Sequence, residues 1–130
     1  VVNEHEAALV AAALGSTTPH LDDDPDVALR ELLGLGCRSV VITLGSAGCI
    51  VGGPEGFDSV AAARVEAVDT VGAGDAFVGA LAAELARGRT LLKGCRFAPA
   101  VATATVTKPG AQASYPSTAE VEDIRRGEHA

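Results

Sequence analysis

The 130-residue chain has no tryptophan and no methionine, one tyrosine and three phenylalanines. With aromatics at 3%, its core must be built from Ala, Val, Leu and Gly, which suit close helix-on-sheet packing. A basic surplus is also missing. Ten Lys and Arg stand against seventeen Asp and Glu, for a net charge of −7. A nucleic-acid partner needs a basic face to neutralise phosphates, so that class is not expected. A small phosphorylated ligand stays open, because backbone N–H groups bind one without any Lys or Arg. The three cysteines, Cys37, Cys49 and Cys95, are odd in number and widely spaced, with no C-x-x-C pair. Neither a zinc site nor a disulfide framework is signalled, and reduced thiols in a cytoplasmic protein are the simpler reading. No signal-peptide pattern and no run of about 20 apolar residues is visible, so no membrane association is expected.

What is present suggests one domain, residues 1–130, with 48% hydrophobic and 21% charged residues, a balance that argues against disorder of the whole chain. The chain opens on Val1, not Met, and "VVNEHE" reads as the end of a strand, so a fragment of a longer chain is expected. Residues 3–14 read as a helix, with Asn3 as N-cap and Glu6 three residues on. Residues 15–26, with Pro19 and Pro25, read as a polar loop, and their Asp22–Asp24 run as solvated rather than as a metal site. Residues 26–36 form an amphipathic helix in which Val27, Leu29, Leu32 and Leu33 share a face. Residues 38–45 and 49–53 are strands about a turn at 46–48, and 59–68 is strand-like. Residues 75–88 form a helix with Phe77, Leu81 and Leu85 at i, i+4 and i+8. Residues 90–108 form a second long helix that Pro99 should kink or interrupt. A loop at 109–116 and a last helix at 117–126 follow. The order, helices, then strands, then mostly helices, reads as an α/β layer structure. His5, His20 and His129 lie apart, without ligand spacing, and are expected at the surface.

The stretch "VDTVGAGDAF" (68–77) carries the chemistry. Small residues entering a helix leave backbone N–H groups without intrahelical partners, and the helix dipole adds positive potential there. Gly72 and Gly74 permit unusual φ and let a ligand approach the backbone. Asp75, at the first helical turn, could take a proton from a hydroxyl attacking phosphorus. The same spacing also describes a tight turn with a capping aspartate, and on spacing alone the two readings are equally open. The pattern is neither a Walker A loop nor G-x-G-x-x-G.

"DTVGAGDAFVGALA" (69–82) resembles the second signature of the ribokinase-like, or pfkB, family of carbohydrate kinases. The resemblance implies the C-terminal part of a three-layer α/β/α sandwich. It implies that Asp75 is the base that deprotonates a sugar hydroxyl, and that the amides of Gly72, Ala73 and Gly74 hold the γ-phosphate of ATP. "VVNEHE" resembles the family's N-x-x-E motif, which implies that Asn3 and Glu6 act on the Mg²⁺ and phosphate side, largely through water. Their alternative is the capping-box pair. "VITLGSAGCIV" (41–51) resembles the strand-turn-strand beside the nucleotide, with Thr43 and Gly45 as ATP contacts and Gly48 in the turn. Its alternative is an ordinary glycine hairpin.

"TVTKPGAQASYP" (105–116) resembles the end of ribokinases in particular. It implies a K⁺ site formed by Asp69, Val71, Thr105, Lys108, Gly110 and Ser114, with Lys108 giving its carbonyl and its ammonium pointing away. Its alternative is a Gly/Pro loop in which a buried Asp69 caps nearby amides. Family members usually carry a polar residue near the adenine where this chain has Pro99, which bears on nucleotide selectivity. The family's sugar contacts, lid and first Gly-Gly signature belong to a portion that is not visible here. A chain lacking that portion would expose a strand edge and apolar surface, and association, as in a homodimer, would follow. The implied activity is ATP-dependent phosphoryl transfer to a sugar hydroxyl, with ribose favoured by "GAQ". Fructose, a ketodeoxy sugar acid or a nucleoside are alternative acceptors. A non-catalytic nucleotide-binding fragment is the alternative of a different class.

Overall fold

The computed structural model describes residues 1–128, so the expectation for His129 lies outside the described residues. The chain forms two compact units, residues 1–61 and residues 62 onward.

The first unit is a four-stranded sheet covered by two helices. Strand β1 (Val2–Asn3) leads into helix α1 (Glu4–Ala13), and helix α2 (Pro25–Gly34) precedes strands β2 (Val40–Thr43), β3 (Cys49–Gly53) and β4 (Gly56–Val60). The sheet order is β1-β2-β3-β4, with β1 parallel to β2 and the other pairs antiparallel. Local chemistry starts each helix. Asn3 and Glu6 form a complete capping box on α1. Asp24 caps α2, accepting from Asp26 and Val27 N–H, with Pro25 at the first helical position. Ala7, Ala11, Ala28, Leu29 and Leu32 of the helices pack with Val40, Ile42 and Ile50 of the sheet. Alanine on the inner face of α1 and α2 permits the close packing that the shortage of aromatics demands.

Three expectations for this unit need correction. Val27 is exposed (43%), and Ala28 takes its place in the buried stripe of α2. The 15–26 segment is a loop only as far as Asp24, because α2 starts at Pro25. It contains a short 3-10 turn, Leu21–Asp23, and Leu21 is buried in the core. The last strand runs from 56 to 60 rather than 59 to 68, and residues 61–67 have no regular structure. The reason is register. β3 begins at Cys49, which pairs with Val60, so the backbone beyond Val60 has no facing strand on β3. Gly56, at φ +111°, makes the tight return that places β4 early.

The second unit contains helices α3 (Ala73–Ala86), α4 (Leu91–Val106) and α5 (Thr118–Glu128). α3 and α4 pack through a glycine: a methyl group added at Gly94 would come within 2.6 Å of Leu81 Cδ1. Phe77, Leu81, Cys95, Phe97, Ala98 and Val101 are buried. Leu85, expected on the same stripe as Phe77 and Leu81, is 43% exposed, and Glu84 is the buried residue of that turn. Pro99 does not interrupt α4, which runs unbroken through it. Proline forfeits one i→i−4 hydrogen bond, here to the Cys95 carbonyl. The buried run Cys95, Phe97, Ala98, Pro99 and Val101 holds the helix together around the defect.

Candidate active site

α3 begins two residues before Asp75. Its N-cap is Gly72 at φ +86°, a conformation L-residues rarely adopt and a residue with no side chain to close the helix end. Asp75 is therefore the third helical residue and not the cap, and its side chain is exposed in the first turn. The Ala73 N–H closes a turn on the Thr70 carbonyl at 3.3 Å. The amides of Gly74 and Asp75 stand in the first turn, beyond reach of any intrahelical carbonyl. A Cβ at Gly74 would meet nothing within 4 Å, so the helix end is open at that point. Gly72 is covered instead: a Cβ there would lie 3.1 Å from the Tyr115 ring.

The loop before α3 is tied to the loop after α4. The Val68 and Asp69 amides donate to the Val106 carbonyl at 2.8 and 3.2 Å. The Asp69 carboxylate accepts from Val71 N–H at 2.9 Å with one oxygen and from Gly110 N–H at 3.1 Å with the other. These donors, Val71 first and Gly110 second, hold its pKa below the ordinary value of 3.8. Thr105 and Ser114 are buried. The Thr105 carbonyl accepts from Lys108 N–H at 3.3 Å, and the Ser114 hydroxyl donates to the Ala111 carbonyl at 2.7 Å. Of the residues expected at the K⁺ site, Asp69, Val71 and Gly110 are thus joined directly, and Lys108, in the loop, is bonded to Thr105 in the last turn of α4. The Lys108 ammonium is engaged by Glu120 at 2.5 Å. The available donors are one carboxylate and main-chain oxygens of a loop that this carboxylate tethers. Such an all-oxygen set suits a large, weakly hydrated cation.

In the first unit, Asn3 and Thr43 are neighbours in the parallel β1–β2 register. Glu6 follows one turn into α1. Its Oε2 accepts from Asn3 N–H at 2.9 Å, and Asn3 Oδ1 accepts from Glu6 N–H at 2.8 Å. The capping box is therefore real, and it leaves Glu6 Oε1 outside it. Gly45 (φ +58°) and Gly48 (φ +99°) bound the turn that follows β2, closed by Leu44 N–H on the Gly48 carbonyl at 2.8 Å. All five residues lie at the carboxyl ends of the two parallel strands or just beyond, the end where open α/β sheets bind ligands.

Two features escape a reading of the sequence. Glu84, 5% exposed, accepts from Arg125 of α5 at 2.5 Å, with Arg87 and Arg89 each at 3.8 Å. Arg125 also binds Glu122 and lies 5.0 Å over the Phe97 ring. A Glu on the buried face of α3 was the available signal, but its partner lies 41 residues away. The second is Glu120, whose Ser117-x-x-Glu120 spacing is a legible capping box. Nothing local reveals that it also takes Lys108.

Comparison with known proteins places the chain in a family. Residues 1–118 match the pfkB family of carbohydrate kinases. The chain belongs to that family. It is 40% identical over 124 residues to a ribokinase of Schizosaccharomyces pombe, covering 94% of this chain and 38% of that protein. It is 40% identical over 127 residues to a mouse (Mus musculus) ribokinase, covering 88% and 35%. The crystal structure of a Thermotoga maritima ribokinase superimposes with a TM-score of 0.81 at 33% identity, over 95% of this chain and 40% of that one. A Cryptococcus neoformans ribokinase in complex with ADP matches at 0.76 and 26% identity, over 94% and 42%. Escherichia coli phosphofructokinase-2 in complex with potassium matches at 0.77 and 27% identity, over 98% and 40%. The fold is therefore that of the ribokinases. The chain spans little more than a third of the length of the curated relatives it matches. Among the described residues no helix is long and apolar enough to cross a membrane.

Proposed function

We propose that this chain supplies the ATP side of a sugar kinase of the ribokinase type, which transfers the γ-phosphoryl group of ATP to a sugar hydroxyl. The observation that carries this reading is the start of α3: the exposed Asp75 carboxylate beside first-turn amides, at an end left open by Gly74. Asp75 is the base that accepts the hydroxyl proton, and the amides of residues 72–74 take the charge of the transferring group. Since the Ala73 amide is turned toward Thr70, Gly74 is the principal donor of the three. Thr43, Gly45 and Gly48 contact the nucleotide, and Asn3 and Glu6 face Mg²⁺ and phosphate through water. The ADP complex of a 26%-identical ribokinase supports a nucleotide at this fold.

Asp69, Val71, Thr105, Lys108, Gly110 and Ser114 would hold K⁺, a reading supported by the potassium complex of a relative with the same fold. The ion would supply a fixed positive charge in the loop leading into α3. Similarity to ribokinases favours ribose as acceptor, within a cytoplasmic, small-molecule setting. The test is Asp75→Asn in the intact gene product that contains this chain. ATP-dependent phosphorylation of ribose should fall by about 10²–10⁴-fold while ADP binding persists. Near-full activity in that variant would remove Asp75 as the base. ADP binding by the unsubstituted protein with no transfer to any sugar would favour the non-catalytic alternative.

A further inference from the structure

The Lys108–Glu120 pair has a division of labour that the capping reading of Glu120 does not explain. Glu120 Oε2 accepts from the Ser117 N–H at 2.7 Å and the Ser117 hydroxyl at 2.9 Å, and the Glu120 N–H returns to Ser117 Oγ at 3.3 Å. That completes the cap of α5 with a single carboxylate oxygen. The second oxygen, Oε1, is left for the Lys108 ammonium at 2.5 Å. Lys108 is two residues before Gly110, whose amide donates to Asp69, and the other Asp69 oxygen takes the Val71 amide beside Gly72. A continuous path of charged hydrogen bonds and one short stretch of chain thus runs from the start of α5 to the start of α3. Its middle link is the loop whose carbonyls face the cation in the reading above. Gly110, at φ +83° and exposed, does not anchor this loop by burial, so its tethers decide its position.

We infer that Glu120 is a positioning residue for the 107–111 loop: by holding the Lys108 ammonium it keeps residues 108–110 closed on the Asp69 carboxylate, and so tunes the affinity of the protein for a monovalent cation. The inference rests on the proposed cation reading. Glu120 touches no reacting atom. It works by drawing the Lys108 side chain toward α5, which leaves the Lys108 carbonyl for the cage and removes a competing cation from it. Capping and clasping use different oxygens, so they can be separated by substitution. In Glu120→Gln the amide oxygen can keep the Ser117 cap, but the NH₂ group cannot accept from an ammonium. Ser117→Ala weakens the cap and spares the charge pair.

The experiment uses the intact gene product and two readouts. Thallous ion, a K⁺ mimic, is titrated by isothermal calorimetry without substrates, and amide hydrogen exchange is followed over residues 105–114. Glu120→Gln should weaken thallous binding by about two- to fivefold, the range open to an exposed ion pair, and should speed exchange at Gly110 by a similar factor. Ser117→Ala should leave thallous affinity within error while lowering thermal stability. Lys108→Met, which cannot donate to Glu120, should weaken thallous binding as Glu120→Gln does. In activity assays the half-saturating K⁺ concentration should rise in Glu120→Gln with kcat at saturating K⁺ unchanged. Unaltered thallous affinity in Glu120→Gln, or equal losses in Glu120→Gln and Ser117→Ala, overturns the inference. If the unsubstituted protein binds no monovalent cation, the cation reading fails and the inference with it. Faster Gly110 exchange in Glu120→Gln would then show the clasp acting on the loop alone.

Discussion

Asp69 and Gly110 are 41 positions apart and joined by one hydrogen bond of 3.1 Å, from the Gly110 amide to a carboxylate whose other oxygen takes the Val71 amide at 2.9 Å. One side chain thus closes the loop entering α3 on the loop leaving α4. Asp69→Asn keeps an acceptor for one of the two amides and presents an NH₂ group to the other, so one tether must open. The expected outcome is faster hydrogen exchange at Val71 or Gly110, together with loss of monovalent-cation stimulation in the intact gene product. Unchanged exchange at both amides would mean that the carboxylate does not hold the loops.

Acid should weaken the same region. Lys108 first, then the Ser117 N–H and hydroxyl, bring the Glu120 pKa from its ordinary 4.5 down to about 2. Asp69 is lowered by the Val71 and Gly110 amides, and Glu122 by Arg125. A carboxylate whose folded pKa is depressed contributes stability that is complete above its unfolded pKa and is lost as pH falls toward the folded one. For Glu120 that window runs from about pH 4.5 down to about pH 2. The thermal midpoint should decline across this window, less steeply in Glu120→Gln, and added salt should shrink the difference because the pair is exposed. Superimposable profiles for the two proteins would contradict this.

Signals that act within one turn were readable from the chain alone. The Asn3–Glu6 box, the Asp24-Pro25 start of α2 and the glycine-rich entry to α3 each lie within a few residues of what they organise. The misplaced features all depend on distant partners. β4 stops at Val60 because β3 starts at Cys49, a limit that the apolar residues of 59–68 do not contain. Pro99 sits in an unbroken helix because its neighbours are buried, which outweighs one lost hydrogen bond. Glu84 is buried, and Leu85 is not, because Arg125 arrives from α5. In the candidate site, residue types and their order were legible. The grouping of Asp69 with Gly110 was legible through the family resemblance, whereas the Tyr115 cover on Gly72 was not, since it joins segments more than forty residues apart.

The Glu84–Arg125 pair sets a stability prediction independent of catalysis. Glu84 is 7% exposed at its side chain and Arg125 13%, and Arg125 Nε is buried without a partner. Removing Glu84 takes away the more buried of the two carboxylates that Arg125 binds and leaves Glu122 as its partner, at a cost of about 2 kcal/mol. Glu84→Ala should lower unfolding free energy by about that amount. Glu84→Ala with Arg125→Met should recover part of the loss, because no guanidinium then remains at the buried face of α3 and the Met still packs on Phe97. Denaturant titration of the unsubstituted protein, Glu84→Ala, Arg125→Met and the double variant provides the comparison. A double variant weaker than the sum of the single ones would show that the pair is not the source of the cost.

Gly72 links fold and chemistry most directly. Its φ of +86° costs an L-residue about 1–2 kcal/mol. A methyl group there would also press on the Tyr115 ring at 3.1 Å, closer than ordinary contact. Gly72→Ala must therefore either strain the N-cap or displace Tyr115, and both move the first-turn amides that the proposed reaction uses. Tyr115→Ala removes the ring, so Gly72→Ala made in that background should lose less additional stability than in the natural sequence, with the backbone cost remaining. The coupling is read from a double-mutant cycle in chemical denaturation. Phosphoryl transfer should fall in Gly72→Ala more than stability alone explains, since a shift of the Gly74 amide weakens its hold on the charge that develops in the transition state. Full activity in a folded Gly72→Ala protein would exclude the α3 N-terminus as the anion site.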